Sequence, residues 1–423
     1  MGNGASTAIN AATEAASNDE LKAVLSSLPA DARLKLCAAL EGKDETFFTW
    51  GDDEPDPEKD AAAAKMQAMH RGRLARKAKK DEDVAATKVQ AMYRGKTARV
   101  GKADEVTIDL SEKELAELPV ADLDVKATTL DISSNKLTQL PAEVGNLTSL
   151  VKLDGNSNAI TTLPAELTKC VKLESLELYS NKLKELPKAL GELKALKLLN
   201  VFNNVLKKLP DDLGGLANLE EVNLAANKLM MLTDQHFVAW AQVGVLSIYE
   251  NNLVRLGSLA PCVGLTELRL SQNNLEEMPK LSSHPKLTVF EIHKNRVASI
   301  PDDYFSATPA LERLSIWGNH LAALPTSLCA LASLVGVQAQ ENKLEALPVG
   351  AWPAKLETLF LQDNASLKVL TAELAACSTL KRVNLSKLPL DDASKALADK
   401  IKDTVLAKTG GIYWGVDGAK LQA

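Results

Sequence analysis

Aromatic residues make up only 4% of this 423-residue chain, so aliphatic side chains must fill most of any core it builds. With 46% hydrophobic residues it has enough of them to do so. Cysteine is sparse: Cys37, Cys170, Cys262, Cys329 and Cys377 form no CxxC and no paired spacing. That disfavours a zinc site or a disulfide framework and points to free thiols in a reducing compartment. No stretch approaches the ~20 consecutive apolar residues that span a bilayer. The first residues lack the basic start and apolar block of a secretory signal, so a cytoplasmic location is expected. No Walker loop, kinase signature, GxSxG or HExxH is present. The five histidines (His70, His236, His284, His293, His320) are dispersed. An enzyme is therefore not expected, and neither a metal nor another cofactor is called for.

What the chain does have is a period. LDISSNKLTQLP (130–141) returns as LELYSNKLKELP (176–187), LNVFNNVLKKLP (199–210) and LSIWGNHLAALP (314–325). The frame is LxLxxNxLxxLP. Its asparagines are Asn135, Asn158, Asn181, Asn204, Asn227, Asn251, Asn273, Asn295, Asn319, Asn342 and Asn364, spaced 22 to 24 residues apart. The alternating leucines have the two-residue period of a strand, which sends both to one side. The asparagine falls where the chain must turn, and its amide is expected to satisfy backbone groups of neighbouring coils. The Leu-Pro step then starts the return segment. One such coil cannot bury its own leucines, but a stack of them makes a continuous core.

These residues resemble the leucine-rich-repeat family, in particular its intracellular 23-residue class, found in Ras-group-related proteins. The resemblance covers roughly 106–388 and implies an α/β solenoid: a curved parallel β-sheet on the concave face, preceded by a helical N-terminal region. Gly155 and Ala339 depart from the pattern at leucine positions, and 230–245 lacks the Leu-Pro step. The ends read as caps: Lys113 stands where the first asparagine would be, and LKRVNLSKLPL (380–390) also lacks the ladder asparagine. Beyond it, Leu390, Leu397, Ile401 and Val405 share a helical face. Gly410-Gly411 ends that helix, and Ile412, Tyr413 and Trp414 are expected to plug the last coil.

In this geometry the residue two before each asparagine should lie on the strand and project from the concave sheet. That row runs Ser133, Asn156, Tyr179, Phe202, Ala225, Tyr249, Ser271, His293, Trp317, Gln340, Gln362. Tyr179 should neighbour Phe202, and His293 should neighbour Trp317, with Arg269, Arg313 and Phe360 one row over. Aromatics and arginine anchor protein interfaces. Tyr179, Phe202, Tyr249, Arg269, His293, Arg313, Trp317 and Phe360 are therefore the expected contacts for a protein client.

A second pattern occupies 61–102. MQAMHRGRLAR (66–76) and VQAMYRGKTAR (89–99) both read apolar-Gln-x-x-x-Arg-Gly-x-x-x-Arg. On a helix this gives an apolar stripe flanked by cations, which suits an acidic, Met-rich partner. The pair resembles tandem IQ motifs, with Met66 and Val89 in place of the usual Ile. The resemblance implies calmodulin, or a calmodulin-like light chain, held by Met66, Gln67, Arg71, Gly72, Arg76, Val89, Gln90, Arg94, Gly95 and Arg99. The segment carries twelve Lys/Arg against three Asp/Glu, a charge of +9, leaving about −15 on the remainder of a chain whose formal net charge is −6. A basic block on an acidic chain suits one acidic partner and disfavours nucleic acid.

The opening MGNGAS fits a myristoylation site at Gly2. One acyl chain binds membrane only marginally, and the basic segment could add attraction to an anionic surface, with calmodulin reversing it. Peripheral attachment at the plasma membrane is the corresponding expectation. The expected organisation is a flexible N-terminus (1–16), a helical hairpin (17–40), an acidic linker (41–60), the basic IQ helix (61–102), the solenoid (103–389) and a capping helix with tail (390–423). The function expected is a calmodulin-binding scaffold or adaptor; the alternative is a structural component of a ciliary or cytoskeletal assembly.

Overall fold

The computed structural model describes residues 105–408, 410–418 and 420–422. Gly2, the 17–40 hairpin, the acidic linker and both IQ-like stretches lie outside the described residues. The chain divides into two compact units, 1–102 and 103–423, and every described residue belongs to the second.

A single fifteen-stranded sheet runs from Thr107–Asp109 to Lys420–Gln422. Its strands are three residues long and follow one another in chain order. Each pairs in parallel with the next, in register, as in Leu130↔Leu153↔Leu176↔Leu199. Only the last pairing, Ile412–Trp414 with Lys420–Gln422, is antiparallel. In the strands from Thr129–Asp131 to Arg382–Asn384 the middle residue and the residue two further on point inward: Leu130, Ile132, Leu176, Leu178, Leu199 and Val201 are all completely buried. Short 3-10 helices line the other side, several entered through the proline of the Leu-Pro step, as at Pro141, Pro164 and Pro325. Strands pack ~4.8 Å apart, closer than helical turns can stack, so the sheet takes the inner, concave side.

The asparagine ladder is as expected. Asn204 Nδ2 donates to Leu178 O (3.0 Å) in the preceding coil and to Val201 O (3.1 Å), while its Oδ1 accepts from Leu183 N (2.9 Å). The same pattern repeats at Asn181, Asn227, Asn251 and Asn273. The residue before each ladder asparagine is left-handed, with φ between 52° and 64°, and Gly318 is the glycine among them. At Gly155 an added Cβ would meet Leu178 Cδ2 at 3.0 Å, with Ile132 Cδ1 at 3.6 Å. The leucine and isoleucine of the flanking coils thus fill the place its missing side chain leaves.

Around 230–256 the period is interrupted. Met231–Leu232 pairs with Arg255–Leu256 in a separate two-stranded sheet. The short helix Asp234–Phe237 is closed by a Thr233–His236 capping box. Phe237 and Trp240, both fully buried, meet edge-on at 5.4 Å and fill the widened core. The C-terminal helix spans Asp392–Leu406 and buries Ala398, Ile401 and Val405. The expected aromatic plug is a strand instead. Tyr413 does seal the core, its hydroxyl donating to Ala398 O (3.1 Å). Ile412 and Trp414 continue the sheet beside Arg382–Asn384, because the Gly410-Gly411 turn returns the chain to the edge left open there.

Candidate partner-binding face

Opposite the buried leucines, each coil presents three side chains on the concave side. They stand six, four and two residues before the ladder asparagine. The strand ends at the second of these, so the row expected on the strand lies just beyond it. That row stays in the ladder through its carbonyls: Ser157 N donates to Tyr179 O and Ser180 N to Phe202 O. Phe360 and Arg269 lie in the row four before, and Arg313 in the row six before.

Tyr179, Phe202, Tyr249, His293, Trp317 and Phe360 are each half-buried. Phe202 and Tyr249 stand two coils apart, with ring centroids at 6.2 Å; the small Ala225 between them lets the rings lean together. His293 stacks on Trp317 at 4.7 Å, the neighbour expected. Its Nδ1 lies 2.8 Å from Ser271 Oγ and 3.1 Å from Ser315 Oγ. Burial first, and the Lys294 charge second, push its pKa down to about 4, so His293 is neutral near pH 7. Lys294 Nζ lies over the Trp317 ring, 4.8 Å from its centroid. Arg269 is tied to Glu267 and, at 3.8 Å, to Glu291. Arg313 is exposed, with Glu312 at 3.9 Å.

Two features of this face were not read from the sequence. Toward its N-terminal end Asp131, Asp154 and Glu177 align on successive strands. Lys152 bridges Glu177 (3.1 Å) and approaches Asp154 (3.9 Å). Desolvation, then the Glu177 charge, raise the Asp154 pKa to about 6. Three acids at one repeat position were a usable signal. At the other end Trp414, in register with Asn384, meets Phe360 edge-on at 6.0 Å and lies 5.7 Å below Lys420 Nζ. The helix inserted before Trp414 breaks the period, so no register count could place it. Among the described residues, no group of His, Cys, Asp and Glu could hold a metal ion. No helix there is long and apolar enough to cross a membrane. The buried thiols Cys170 and Cys262 are pushed up to about 11 and about 12, which makes them unreactive core fillers.

Comparison with known proteins agrees with this architecture. A family model described as a leucine-rich repeat region matches 108–307, and one described as an IQ calmodulin-binding motif matches 83–100. The latter covers the second of the two IQ-like stretches. Bovine osteomodulin is 31% identical over 116 residues, 27% of this chain and 26% of its own length. A rat PH domain leucine-rich repeat protein phosphatase is 29% identical over 143 residues, 33% of this chain and 8% of its own. The chain thus spans about a quarter or less of these relatives. Among solved structures, a leucine-rich-repeat protein of Leptospira interrogans superposes with TM-score 0.55 at 27% identity, covering 69% of this chain and 80% of that one. The Arabidopsis receptor kinase HAESA, solved in complex with a peptide hormone and a co-receptor, superposes with TM-score 0.56 at 26% identity, covering 67% and 50%.

Proposed function

We propose that this leucine-rich-repeat chain with an IQ motif is a non-enzymatic scaffold. It holds calmodulin, or a calmodulin-like light chain, on its basic segment and a protein client on its concave face. One observation carries the reading: Phe202, Tyr249, Trp317 and Phe360 stand on the side of the sheet that the core does not use, while the other side buries the ladder leucines completely. Half-exposed aromatics in a row are interface anchors. HAESA, a structural relative of the same fold, is solved in complex with a peptide hormone, which supports a peptide or protein ligand for this fold. The likeness to the phosphatase covers 8% of that protein and carries no activity across. The first IQ-like stretch, 66–76, is a second calmodulin contact in this proposal. Gly2 acylation with the +9 segment would attach the chain reversibly to an anionic membrane from the cytoplasm, and calmodulin would release it.

The test is a pull-down of the full chain on calmodulin, with calcium and with chelator, beside a Gln67→Ala, Arg71→Ala, Gln90→Ala, Arg94→Ala variant. Proteins cross-linked to a wild-type chain and to a Trp317→Ala, Phe360→Ala chain are compared in parallel. The expected result is calmodulin lost from the first variant and a defined client lost from the second. Equal calmodulin capture by wild type and variant would remove the IQ half of the proposal, and unchanged clients would remove the concave-face half.

A further inference from the structure

The concave face is not chemically uniform. Toward the N-terminal end its three rows carry Asp109, Asp131, Asp154, Glu177 and Glu221 against Lys152 alone. From Arg313 onward the same rows hold Ser315, Trp317, Gln338, Gln340, Phe360, Gln362, Asn384 and Trp414. Their charged members there are two exposed arginines, Arg313 and Arg382, and no acid. Lys294 and Lys420 add positive charge over Trp317 and Trp414. Of the carboxylates bordering this half, Glu357 pairs with Lys381 at 2.7 Å and Asp363 with Lys387 at 3.1 Å, while Glu341, beside Gln340, is exposed and makes no ion pair among the described residues. Glu312 lies 3.9 Å from Arg313.

Within it, Gln340 and Gln362 occupy the same position of adjacent coils, and the side-chain oxygen of each is covered yet has no hydrogen-bond partner. An orphaned acceptor is unfavourable, and native structures seldom keep two in one row. A carboxamide that turns outward offers one acceptor and two donors. It can therefore pair with a peptide group of any sequence. Trp317 and Gln340 are consecutive in one row, while Phe360 and Trp414 flank the amides from the next. The amides are thus set between two aromatic platforms.

We infer that the C-terminal half of the concave face takes an extended, acidic peptide segment. Its main chain is gripped by Gln340 and Gln362, its apolar side chains rest on Trp317, Phe360 and Trp414, and its carboxylates face Arg313 and Arg382. This rests on the reading of the concave face as a client surface and adds the chemistry of the client. The charge gradient along the sheet sets the orientation: the acidic end repels the segment and confines it to coils from Arg313 onward.

Two matched pools of fluorescein-labelled octapeptides, each with two variable apolar positions and three glutamates or three lysines, test it by anisotropy against the full chain. The glutamate pool is expected to bind at least about tenfold more tightly than the lysine pool, with affinity falling as salt is added. In an Arg313→Glu, Arg382→Glu chain that preference should vanish. A Gln340→Ala, Gln362→Ala chain should lose about fivefold in affinity for the glutamate pool and keep the charge preference. Both variants leave the leucine ladder intact, and unchanged thermal melting confirms their folding. Tighter binding of the lysine pool, binding of neither pool, or glutamate binding indifferent to both variants would overturn the inference. Client capture lost with Trp317→Ala but kept on arginine reversal would retain the concave face as the client surface and reject the acidic segment.

Discussion

His293 lies flat on Trp317, ring centroids 4.7 Å apart and planes 8° from parallel, with its Nδ1 between the hydroxyls of Ser271 and Ser315. The stack joins two coils across the concave face and fixes the tryptophan, with Lys294 Nζ 4.8 Å from its ring centroid. It also makes the fold responsive to acid.

The His293 pKa falls from the ordinary 6.5 to about 4. Between those values the unfolded chain binds the proton and the folded one does not, so stability is full above pH 6.5 and declines as pH drops toward 4. The size is up to ~3 kcal/mol. Asp154 acts in the opposite sense. Its pKa is raised from 3.8 to about 6, so it contributes stability at low pH that is lost as pH rises through 6. The two slopes partly cancel in the intact chain. His293→Gln should leave a protein that gains stability on acidification from pH 6.5 to 4.5, and Asp154→Asn one that loses it. Urea midpoints at several pH values would show this, and parallel curves for all three proteins would refute it.

Asn204→Ala removes four hydrogen bonds and leaves the Leu183 amide and the Leu178 carbonyl without that side chain. The expected cost is about 3 kcal/mol. Because each coil touches mainly its neighbours, the loosening should be local. Hydrogen exchange should speed up at Leu183 and its flanking coils and remain unchanged at Leu344.

Ala226 holds φ at 52° and Gly318 holds it at 64°. A left-handed non-glycine residue costs about 1–2 kcal/mol, part of which glycine gives back in backbone entropy. Ala226→Gly should therefore raise stability by about 0.5 kcal/mol. Gly318→Ala, whose new Cβ would lie 3.4 Å from Lys294 Cγ, should lower it by about 1 kcal/mol or more. Denaturant titration of the pair is the measurement, and changes of like sign would contradict the account.

Gly155→Leu restores the repeat consensus and should nevertheless destabilise by about 1–3 kcal/mol, because Leu178 and Ile132 already occupy that volume. A more stable variant would show that the neighbours can withdraw.

The fold was legible because a 22–24-residue period leaves few alternatives: asparagines such as Asn204 make the bonds their position implies, and leucines such as Leu176 are buried. Legibility failed where the period failed. The 230–256 insertion forms its own two-stranded sheet, and its pairing depends on how Phe237 and Trp240 pack, which no repeat template contains. Trp414 was hidden for the same reason, since the Asp392–Leu406 helix lengthens its coil. On the concave face, the His293–Trp317 pair followed from register alone. The proton affinities of His293 and Asp154 depend on desolvation by neighbouring coils and could not be read from either residue's own repeat.

The reversed strand Lys420–Gln422 bears on self-assembly. A parallel ladder exposes, at its growing edge, a row of backbone groups ready to template the first strand of another copy in the same direction, the geometry from which solenoids polymerise head to tail. Among the described residues the ladder closes on a strand of opposite polarity, so Thr107–Asp109 of a second chain set in the same direction would meet it antiparallel rather than extend the parallel ladder. One short strand thus works against parallel end-to-end stacking of the ladder.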